Sequence, residues 1–367
     1  MALKLLVIGG GISGLSLAYF LSEHQDIDVS VLESDERPGG KIWSDRAEGY
    51  LCEWGVNGFL NNKPRTLELA DKLKLKTIGS SDAARKRFVF SDGRMNRLPE
   101  SPPAFFKSGL MSWPGKMRIT LEPFIRKGNN PDETLADFAR RRLGREAYQK
   151  LIDPMASGIY AGDPEVMSLA HCFPRIHEIE QKYGSLIKGM IKLMAERKKS
   201  VSAAPGGVLT SFDNGMQSII ASLRDRLGEG VHMKKKAVGL EKLGEGYRVH
   251  LSDGAAVEAE AVAFAVPAHE GAQIFRDFDP GVSRKLEGIP YPSLSVVCTG
   301  FDRAKIEYDL NSFGFLVPFR EGRKVLGTLF DSSIFPFRAP EGKVLLRSMV
   351  GGARATDLAR LDERKLV

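Results

Sequence analysis

Cysteine is scarce and scattered in this chain: Cys52, Cys172 and Cys298 are the only three in 367 residues, and no two form a CxxC pair. An odd, widely spaced set excludes a disulfide scaffold and points to a reducing compartment. Long apolar runs are missing too. None approaches the roughly 18 residues that span a bilayer. The longest, such as residues 259–268, fit the core of a sheet. The opening Met1-Ala2-Leu3-Lys4-Leu5-Leu6-Val7-Ile8 is too short for a secretory signal and lacks its small-residue cleavage site, so it reads as a buried first strand. There is no internal repeat and no low-complexity tract. No Ser/His/Asp arrangement stands out, and no catalytic residue is assigned. His171, Cys172 and His177 lack a second ligand group at a zinc-type spacing, so no metal is expected.

What is present is an ordinary globular composition, 43% hydrophobic and 27% charged, with a length that suggests two or three domains. The formal net charge is +7. A basic excess attracts anionic partners without choosing among nucleic acid, acidic lipid headgroups and polyanionic substrates. The excess is concentrated. Residues 85–128 hold ten Lys/Arg against three acids, a surplus of seven, interleaved with Phe105, Phe106, Leu110, Met111, Trp113, Met117, Ile119, Phe124 and Ile125. A helix is expected over 185–199, with Leu186, Ile187, Met190, Ile191 and Met194 on one face and Lys192, Arg197, Lys198 and Lys199 as its cations. Lys/Arg beside apolar side chains is the composition of a peripheral membrane surface. The alternative is that the apolar residues pack inside and the charges are merely solvated.

The first forty residues carry the sharpest pattern. An apolar run at 3–8, interrupted only by Lys4, predicts a strand covered on both faces. Ile12, Leu15, Leu17, Ala18 and Leu21 predict a helix over 12–24, and Asp28 to Glu33 a second strand. Between the first strand and the helix stands Gly9-Gly10-Gly11-Ile12-Ser13-Gly14, a GxGxxG turn. Gly9 permits the tight turn, Gly11 lets backbone approach a pyrophosphate, and Gly14 lets the helix pack on the strand. The helix N-terminus then offers free N–H groups to phosphates. Glu33 lies 19 residues after Gly14, at the end of the next strand, where a carboxylate accepts hydrogen bonds from ribose hydroxyls. The unit is a Rossmann-like dinucleotide cradle.

Downstream, a helix is expected over 132–151 with Asp132 as N-cap, and another from an Asp213 cap through Leu227. A strand near 231–238 precedes a hairpin of 247–251 and 256–265, turned by Ser252-Asp253-Gly254. Residues 293–301, 313–319, 325–330 and 343–350 alternate like strands of a further sheet.

A second glycine pair follows the acid in Glu33-Ser34-Asp35-Glu36-Arg37-Pro38-Gly39-Gly40-Lys41. This resembles the flavin amine-oxidase superfamily, in which the loop lies along the diphosphate and ribityl chain; the resemblance implies FAD. The likeness narrows further on. Glu53-Trp54-Gly55-Val56-Asn57-Gly58-Phe59 resembles a segment that passes near the flavin in porphyrinogen oxidases. Ser157-Gly158-Ile159-Tyr160-Ala161-Gly162-Asp163-Pro164 resembles that family's GxxAGDP signature, followed in family order by Ser168-Leu169, Phe173-Pro174, Glu178, Glu180 and Tyr183-Gly184-Ser185-Leu186. Phe212-Asp213-Asn214-Gly215-Met216 resembles the family's GGM turn, and Ala265-Val266-Pro267-Ala268 the strand end below the adenine.

The resemblance to the protoporphyrinogen oxidase and coproporphyrinogen III oxidase family implies an α/β fold: a Rossmann-like FAD-binding domain (GR2 type), a mixed-sheet substrate domain and an inserted helical domain. The expected boundaries are 1–84 and 205–285 for the FAD domain, 85–204 for the basic helical insertion, and 286–367 for an incomplete substrate domain. Implied cofactor residues are Gly9, Gly10, Gly11, Ile12, Ser13, Gly14, Glu33, Ser34, Gly39, Gly40, Lys41, Gly55, Val56, Asn57 and Gly58, with Val238 meeting the adenine through its backbone. Implied substrate residues are Arg87 for a propionate, Gly158 near the macrocycle, and Phe313, Leu316 and Met349 around the tetrapyrrole rings. A solvated charge run is the alternative for Arg87, and plain core packing for the other three side chains. Asn57 stands where some relatives carry Arg, so no carboxylate anchor is implied there.

The implied reaction is dehydrogenation of a porphyrinogen, protoporphyrinogen IX or coproporphyrinogen III, with dioxygen as final acceptor and hydrogen peroxide as co-product. An amine oxidase-type flavoenzyme and a catalytically silent FAD-fold protein are the alternatives. The expected setting is cytoplasmic, peripheral on the inner face of the cell membrane, with a homodimer as a candidate assembly and no nucleic-acid partner. The family carries a further C-terminal segment that returns to the FAD domain with a second glycine-rich motif. Residues 356–367 read as the middle of a helix, so a chain lacking that segment is expected.

Overall fold

A computed structural model describes residues 2–199 and 207–366, and the chain forms two units: residues 1–79 with 207–291, and 80–206 with 292–367.

The first unit is built on a four-stranded sheet in the order Val231–His232, Ile27–Leu32, Leu3–Ile8, Ala261–Phe264, every pairing parallel. The expected burial of the first strand on both faces holds over Leu6–Ile8, while Leu3 and Lys4 stay exposed. Successive side chains of a strand point to opposite faces. Leu5 and Val7 pack with the helices Ile12–Ser22 and Gln217–Leu227, while Leu6, Ile8 and Leu32 pack against a three-stranded antiparallel sheet, Ala237–Leu243, Gly246–Leu251 and Ala256–Ala259. At about 25 cal/mol per Å² of apolar surface, burying each such Leu, Ile or Val is worth roughly 1.5–3 kcal/mol.

The hairpin turn at 252–254 forms as expected, but two strand expectations change. The stretch 256–265 is two strands. Glu260 interrupts it, its backbone N–H donating to Lys4 O and its Oε2 accepting from Lys4 N, so 256–259 stays in the antiparallel sheet and 261–264 enters the parallel one. Likewise 231–238 is not one strand. Lys234 adopts φ +56°, the left-handed region, and separates Val231–His232 from Ala237–Leu243. The expected Asp213 cap is also corrected: that carboxylate accepts from Asn214 N, and the helix begins at Gln217.

The second unit is built on a six-stranded mixed sheet in the order Leu294–Asp302, Lys343–Gly351, Val325–Leu329, Gly314–Leu316, Arg87–Ser91, Arg94–Arg97. Only Gly314–Leu316 with Arg87–Ser91 is parallel. That pairing joins two stretches far apart in the sequence, and it places two strands inside the stretch read as helical. Helices Pro102–Lys107, Trp113–Thr120, Leu135–Arg142, Asp153–Tyr160, Pro174–Tyr183 and Leu186–Lys199 accompany the sheet. The helix expected over 132–151 is shorter. Thr134 caps it, its Oγ1 accepting from Asp137 N at 3.1 Å, and Gly144 at φ +93° ends it before a π-turn at Tyr148–Ile152. The helix expected over 185–199 forms, with Met190, Ile191 and Met194 exposed; the side chains of Arg197, Lys198 and Lys199 lie outside the described residues. The three cysteines form no disulfide. No described helix is long and apolar enough to cross a membrane.

Candidate cofactor and substrate sites

The glycine turn of the first unit is assembled by contacts that need the absence of side chains. A Cβ on Gly14 would lie 1.9 Å from Gly9 O, and one on Gly9, itself at φ +107°, 2.6 Å from Ala265 O. Gly14 therefore closes the helix onto the turn, and Gly9 lies under the end of the Ala261–Phe264 strand, where Ala265 N donates to Ile8 O. Gly11 is different: a Cβ there would meet nothing within 4 Å. Open space at the second fixed glycine, above the free N–H groups of a helix N-terminus, is the room a pyrophosphate needs. Ile12 and Ser13 begin that helix, with Ser13 exposed.

Glu33 reaches the mouth of the turn. It is buried, and its Oε2 accepts from Gly10 N at 2.8 Å while Oε1 accepts from Asp35 N at 2.9 Å and Ser34 Oγ at 3.1 Å. Its backbone is tied to the neighbouring strand through His232 O and Lys235 N. The Gly39-Gly40 loop folds onto the turn from the other side: Gly39 N donates to Gly10 O at 2.8 Å, Gly39 and Gly11 form a bridge, and Gly40 adopts φ +53°. Lys41 is exposed at the end of this loop. The two glycine motifs, separate in the sequence, thus share one edge.

The segment 53–58 crosses close by, again on glycine. A Cβ on Gly55 would lie 2.0 Å from Lys41 O, and one on Gly58 2.6 Å from Thr210 O. Val56 is exposed, and Asn57 Nδ2 is buried with no hydrogen-bond partner among the described residues. An unpaired buried amide costs about 1–3 kcal/mol, which a ligand acceptor removes. Val238 sits where the ladder between Ala237–Leu243 and Gly246–Leu251 shifts register, Ala237 pairing with Leu251 and Gly239 with His250. A bulged residue keeps its backbone groups off the ladder, available to a ligand. The open space at Gly11, the orphaned Asn57 amide and the Val238 bulge fit a dinucleotide cofactor. These residues would hold it.

Sequence reading missed what anchors the 53–58 segment. Glu53 is fully buried; its Oε1 accepts from Met216 N at 2.9 Å and its Oε2 from Ser44 Oγ at 2.6 Å, and Ser44 Oγ accepts from Gln217 N at 2.9 Å. Together they cap the Gln217–Leu227 helix, where a carboxylate also meets the positive end of the dipole. The cap comes from over 160 residues away in the sequence, so no local signal could reveal it.

In the second unit the five expected substrate residues lie on or against the sheet in two groups. Arg87 opens its strand, exposed, with its guanidinium 5.3 Å from the centre of the Phe313 ring, and Phe313 N donates to Lys86 O. Leu316 pairs with Gly327, which pairs with Met349. Directly opposed residues share a face, so Leu316 and Met349 flank a glycine floor. Gly158, on the helix Asp153–Tyr160, approaches Leu316: a Cβ would lie 2.3 Å from Leu316 Cδ2. Phe313, Leu316 and Met349 are each half-buried.

The residues of the 157–186 signature serve a different purpose. Asp163 and Asp153 both bind Arg354, which also lies over the Phe319 ring at 4.6 Å, and Asp153 Oδ2 accepts from Phe319 N. Ala161, at φ +50°, accepts from Ala353 N at 2.7 Å. The signature turn is thereby fastened to the end of the Lys343–Gly351 strand. Glu180, Gly184 and Ser185 converge on Arg142, whose Nε donates to Glu180 Oε1 at 2.6 Å, Nη1 to Glu122 Oε1 at 2.9 Å and Nη2 to Gly184 O at 2.8 Å. Glu122 in turn accepts from Ser185 Oγ, Leu186 N and Ile187 N. Arg142, Glu122 and Glu180 are all buried. Burial pushes the Glu180 carboxyl up, but its bonds to Arg141 and Arg142 outweigh that and leave it below its ordinary value.

The basic stretch 85–128 divides. Lys116 is buried, donating to Phe106 O and Ser108 O, and Arg118 donates to Arg141 O and Arg142 O. These two charges bind backbone carbonyls inside the unit. By contrast Trp113, Met117, Leu121 and Phe124 stand exposed, Phe124 at 81%.

Comparison with known proteins gives one consistent result. Residues 12–367 match the family of flavin-containing amine oxidoreductases. The chain is 33% identical over 385 residues to the chloroplastic protoporphyrinogen oxidase of Oryza sativa, spanning 99% of this chain and 72% of that protein. It is 31% identical to the coproporphyrinogen III oxidase of Staphylococcus aureus, over 96% of this chain and 78% of that one. A crystal structure from Exiguobacterium sp. 255-15, assigned as a protoporphyrinogen oxidase, superposes with TM-score 0.83 at 25% identity, covering 100% of this chain and 81% of its own.

Proposed function

This chain belongs to the flavin-containing amine oxidoreductase family and is an FAD-dependent oxidoreductase, and from that premise we propose that it oxidises a porphyrinogen to a porphyrin in haem biosynthesis. The observation that carries the reading is the likeness, across nearly the whole chain, to proteins named for oxidation of protoporphyrinogen and coproporphyrinogen III.

Bound FAD would supply a two-electron acceptor: three rounds, each removing one hydride and one proton, take a porphyrinogen to a porphyrin, with one dioxygen reduced to hydrogen peroxide per round. The chain's own residues bind and orient. Leu316 and Met349, flanking the glycine floor at 327, offer aliphatic walls to an apolar macrocycle, and Phe313 offers an aromatic one. Arg87, held over Phe313, presents a guanidinium whose fork suits a propionate carboxylate. Gly158 keeps backbone close to the ring system. No dedicated acid–base pair is assigned; gain of aromaticity makes the reaction strongly favourable, and the protein's task is positioning and exclusion of water.

The two named substrates differ in carboxylate count, two propionates against four. Purified protein offered protoporphyrinogen IX and coproporphyrinogen III separately under air, followed by porphyrin fluorescence and peroxide, tests both. Oxidation of the first supports the reading as stated; oxidation of the second alone shifts it to coproporphyrinogen. A yellow protein that oxidises neither refutes it.

The exposed stripe Trp113, Met117, Leu121 and Phe124, with Met190, Ile191 and Met194 nearby in the same unit and Lys188 donating to Pro123 O, supports peripheral attachment to an anionic membrane leaflet. Co-sedimentation with anionic vesicles at low and high salt checks it. No binding in either would sink the attachment and leave the oxidase reading standing.

A further inference from the structure

Three stretches of the second unit carry the residues read above as walls for the macrocycle: Leu316 on Gly314–Leu316, Gly158 on the helix Asp153–Tyr160, and Met349 on Lys343–Gly351. Leu316 and Met349 have no side-chain hydrogen-bond donor and Gly158 has no side chain, so contact between them is apolar and has no preferred direction. Their spacing has to be set by polar groups outside the wall.

Arg354 ties the three stretches together. Its Nη1 donates to Asp153 Oδ1, at the first residue of the helix, and its Nε and Nη2 lie 2.8 and 2.7 Å from Asp163 Oδ1, just past the helix end. Asp153 reaches onward: its Oδ2 accepts from Phe319 N at 2.9 Å, in the segment that follows Leu316, and the guanidinium lies 4.6 Å from the centre of the Phe319 ring. The third stretch runs directly into Arg354. Its strand ends at Gly351; Gly352 then turns at φ +84°, where a Cβ would lie 2.9 Å from Ala161 O, and Ala353 N donates to that same carbonyl at 2.7 Å. One guanidinium thus spans both ends of the helix that bears Gly158 and touches the segments that follow Leu316 and Met349. Its donors sit on different edges of a rigid plane, so two carboxylates bound to two edges are kept at a fixed separation. Asp153 is buried and its two partners half-buried, so salt screens these bonds less than it would on an open surface.

We propose that Arg354 is a positioning residue for the substrate: by tying these stretches it sets the distance of Gly158 from Leu316 and Met349, and so the width of the slot that admits the macrocycle. It acts through these neighbours and not by placing its own charge on the substrate. The inference rests on the porphyrinogen reading of this face.

The test compares flavin-loaded wild type with Arg354→Lys, Arg354→Met, Gly158→Ala and the double variant Arg354→Met/Gly158→Ala. KM and kcat per bound flavin are measured with whichever porphyrinogen the wild type oxidises, alongside binding of the product porphyrin by fluorescence titration and a thermal melt of each protein. Arg354→Met should raise KM and weaken porphyrin binding about fivefold or more, with kcat per flavin within about twofold of wild type. Arg354→Lys keeps the charge without the planar fork and should fall between the two. Adding Gly158→Ala to Arg354→Met should cost less than the product of the single effects, because both act on one slot. A purely structural role would lower the melt and the yield of loaded enzyme but leave the KM of what remains unmoved; that outcome, or full multiplication of the two effects, overturns the positioning role. Should Arg354→Met give no folded protein, Arg354→Lys decides: KM and porphyrin affinity within about twofold of wild type overturn the need for a guanidinium that spans two edges. Wild type that holds flavin yet oxidises neither porphyrinogen and binds no porphyrin refutes the reading of this face, and the positioning role falls with it.

Discussion

Replacing Glu33 by Gln keeps the shape of the side chain and exchanges one acceptor for a donor. In the native chain Oε2 accepts from Gly10 N and Oε1 from Asp35 N and Ser34 Oγ. Whichever way the new amide turns, its NH2 faces a backbone N–H. A hydrogen bond to a charged group contributes about 1.5–3 kcal/mol, and that loss is present without any cofactor. For a unit of this size each kcal/mol is roughly 2–4 °C, so the flavin-free protein should melt about 3–12 °C lower. A second loss appears only with ligand. If Glu33 also accepts from the ribose hydroxyls, removing the carboxylate takes away a further charged acceptor of similar strength, about 10- to 150-fold in FAD affinity. Differential scanning fluorimetry of the flavin-free protein and titration with FAD read the two losses separately. A variant that melts lower yet binds FAD within threefold of the wild type would refute the ribose role while leaving the turn-closing role intact. A variant unchanged in both would refute the geometry of the cradle.

Other outcomes follow from the second unit. Gly158→Ala drives a methyl into Leu316, an overpacking of about 1–3 kcal/mol; flavin content should hold while porphyrinogen oxidation falls about tenfold, and an unaltered steady-state rate would remove Gly158 and Leu316 from the substrate wall. Arg142→Met leaves two buried carboxylates without their shared partner and should cost about 3–5 kcal/mol in denaturant unfolding, less if the donors from Ser185, Leu186 and Arg141 compensate. The acid side of the stability profile should be steep. Glu165 is held below its ordinary value by its hydrogen bond to Arg140, Asp92 by its bond to Lys150, and Glu180 by Arg141 and Arg142 against the effect of burial. A carboxylate lowered in the folded state binds fewer protons there than when unfolded, so its stabilisation is complete above the ordinary carboxylate range, about pH 4, and is lost as pH falls through the folded value. Urea midpoints measured from pH 7 down to 3 should drop in that window, and a flat profile would contradict the ion-pair assignments.

The opening α/β unit was legible because its signals are local. An apolar run at 3–8, fixed glycines at 9, 11 and 14, and an acid closing the next strand each report backbone geometry within a few residues. Strand ends were less legible. The break at Glu260 arises from a pairing with Lys4, and the shift from Val231–His232 to Ala237–Leu243 from one left-handed residue at Lys234. The basic stretch 85–128 read uniformly by composition, yet Lys116 is buried on backbone carbonyls while Phe124 stands in the open. Composition counts charges and does not see what they touch.

Turn chemistry and family were readable from the residues alone, because glycine requirements and motif spacing are properties of the local chain. That Glu53 caps a helix over 160 residues away emerges only on folding. Folding likewise brings the signature aspartate Asp163 onto Arg354 and joins Arg87–Ser91 to Gly314–Leu316 in one sheet. Such partners are chosen by which surfaces and unpaired polar groups must be buried together, and that choice is made only when distant segments meet.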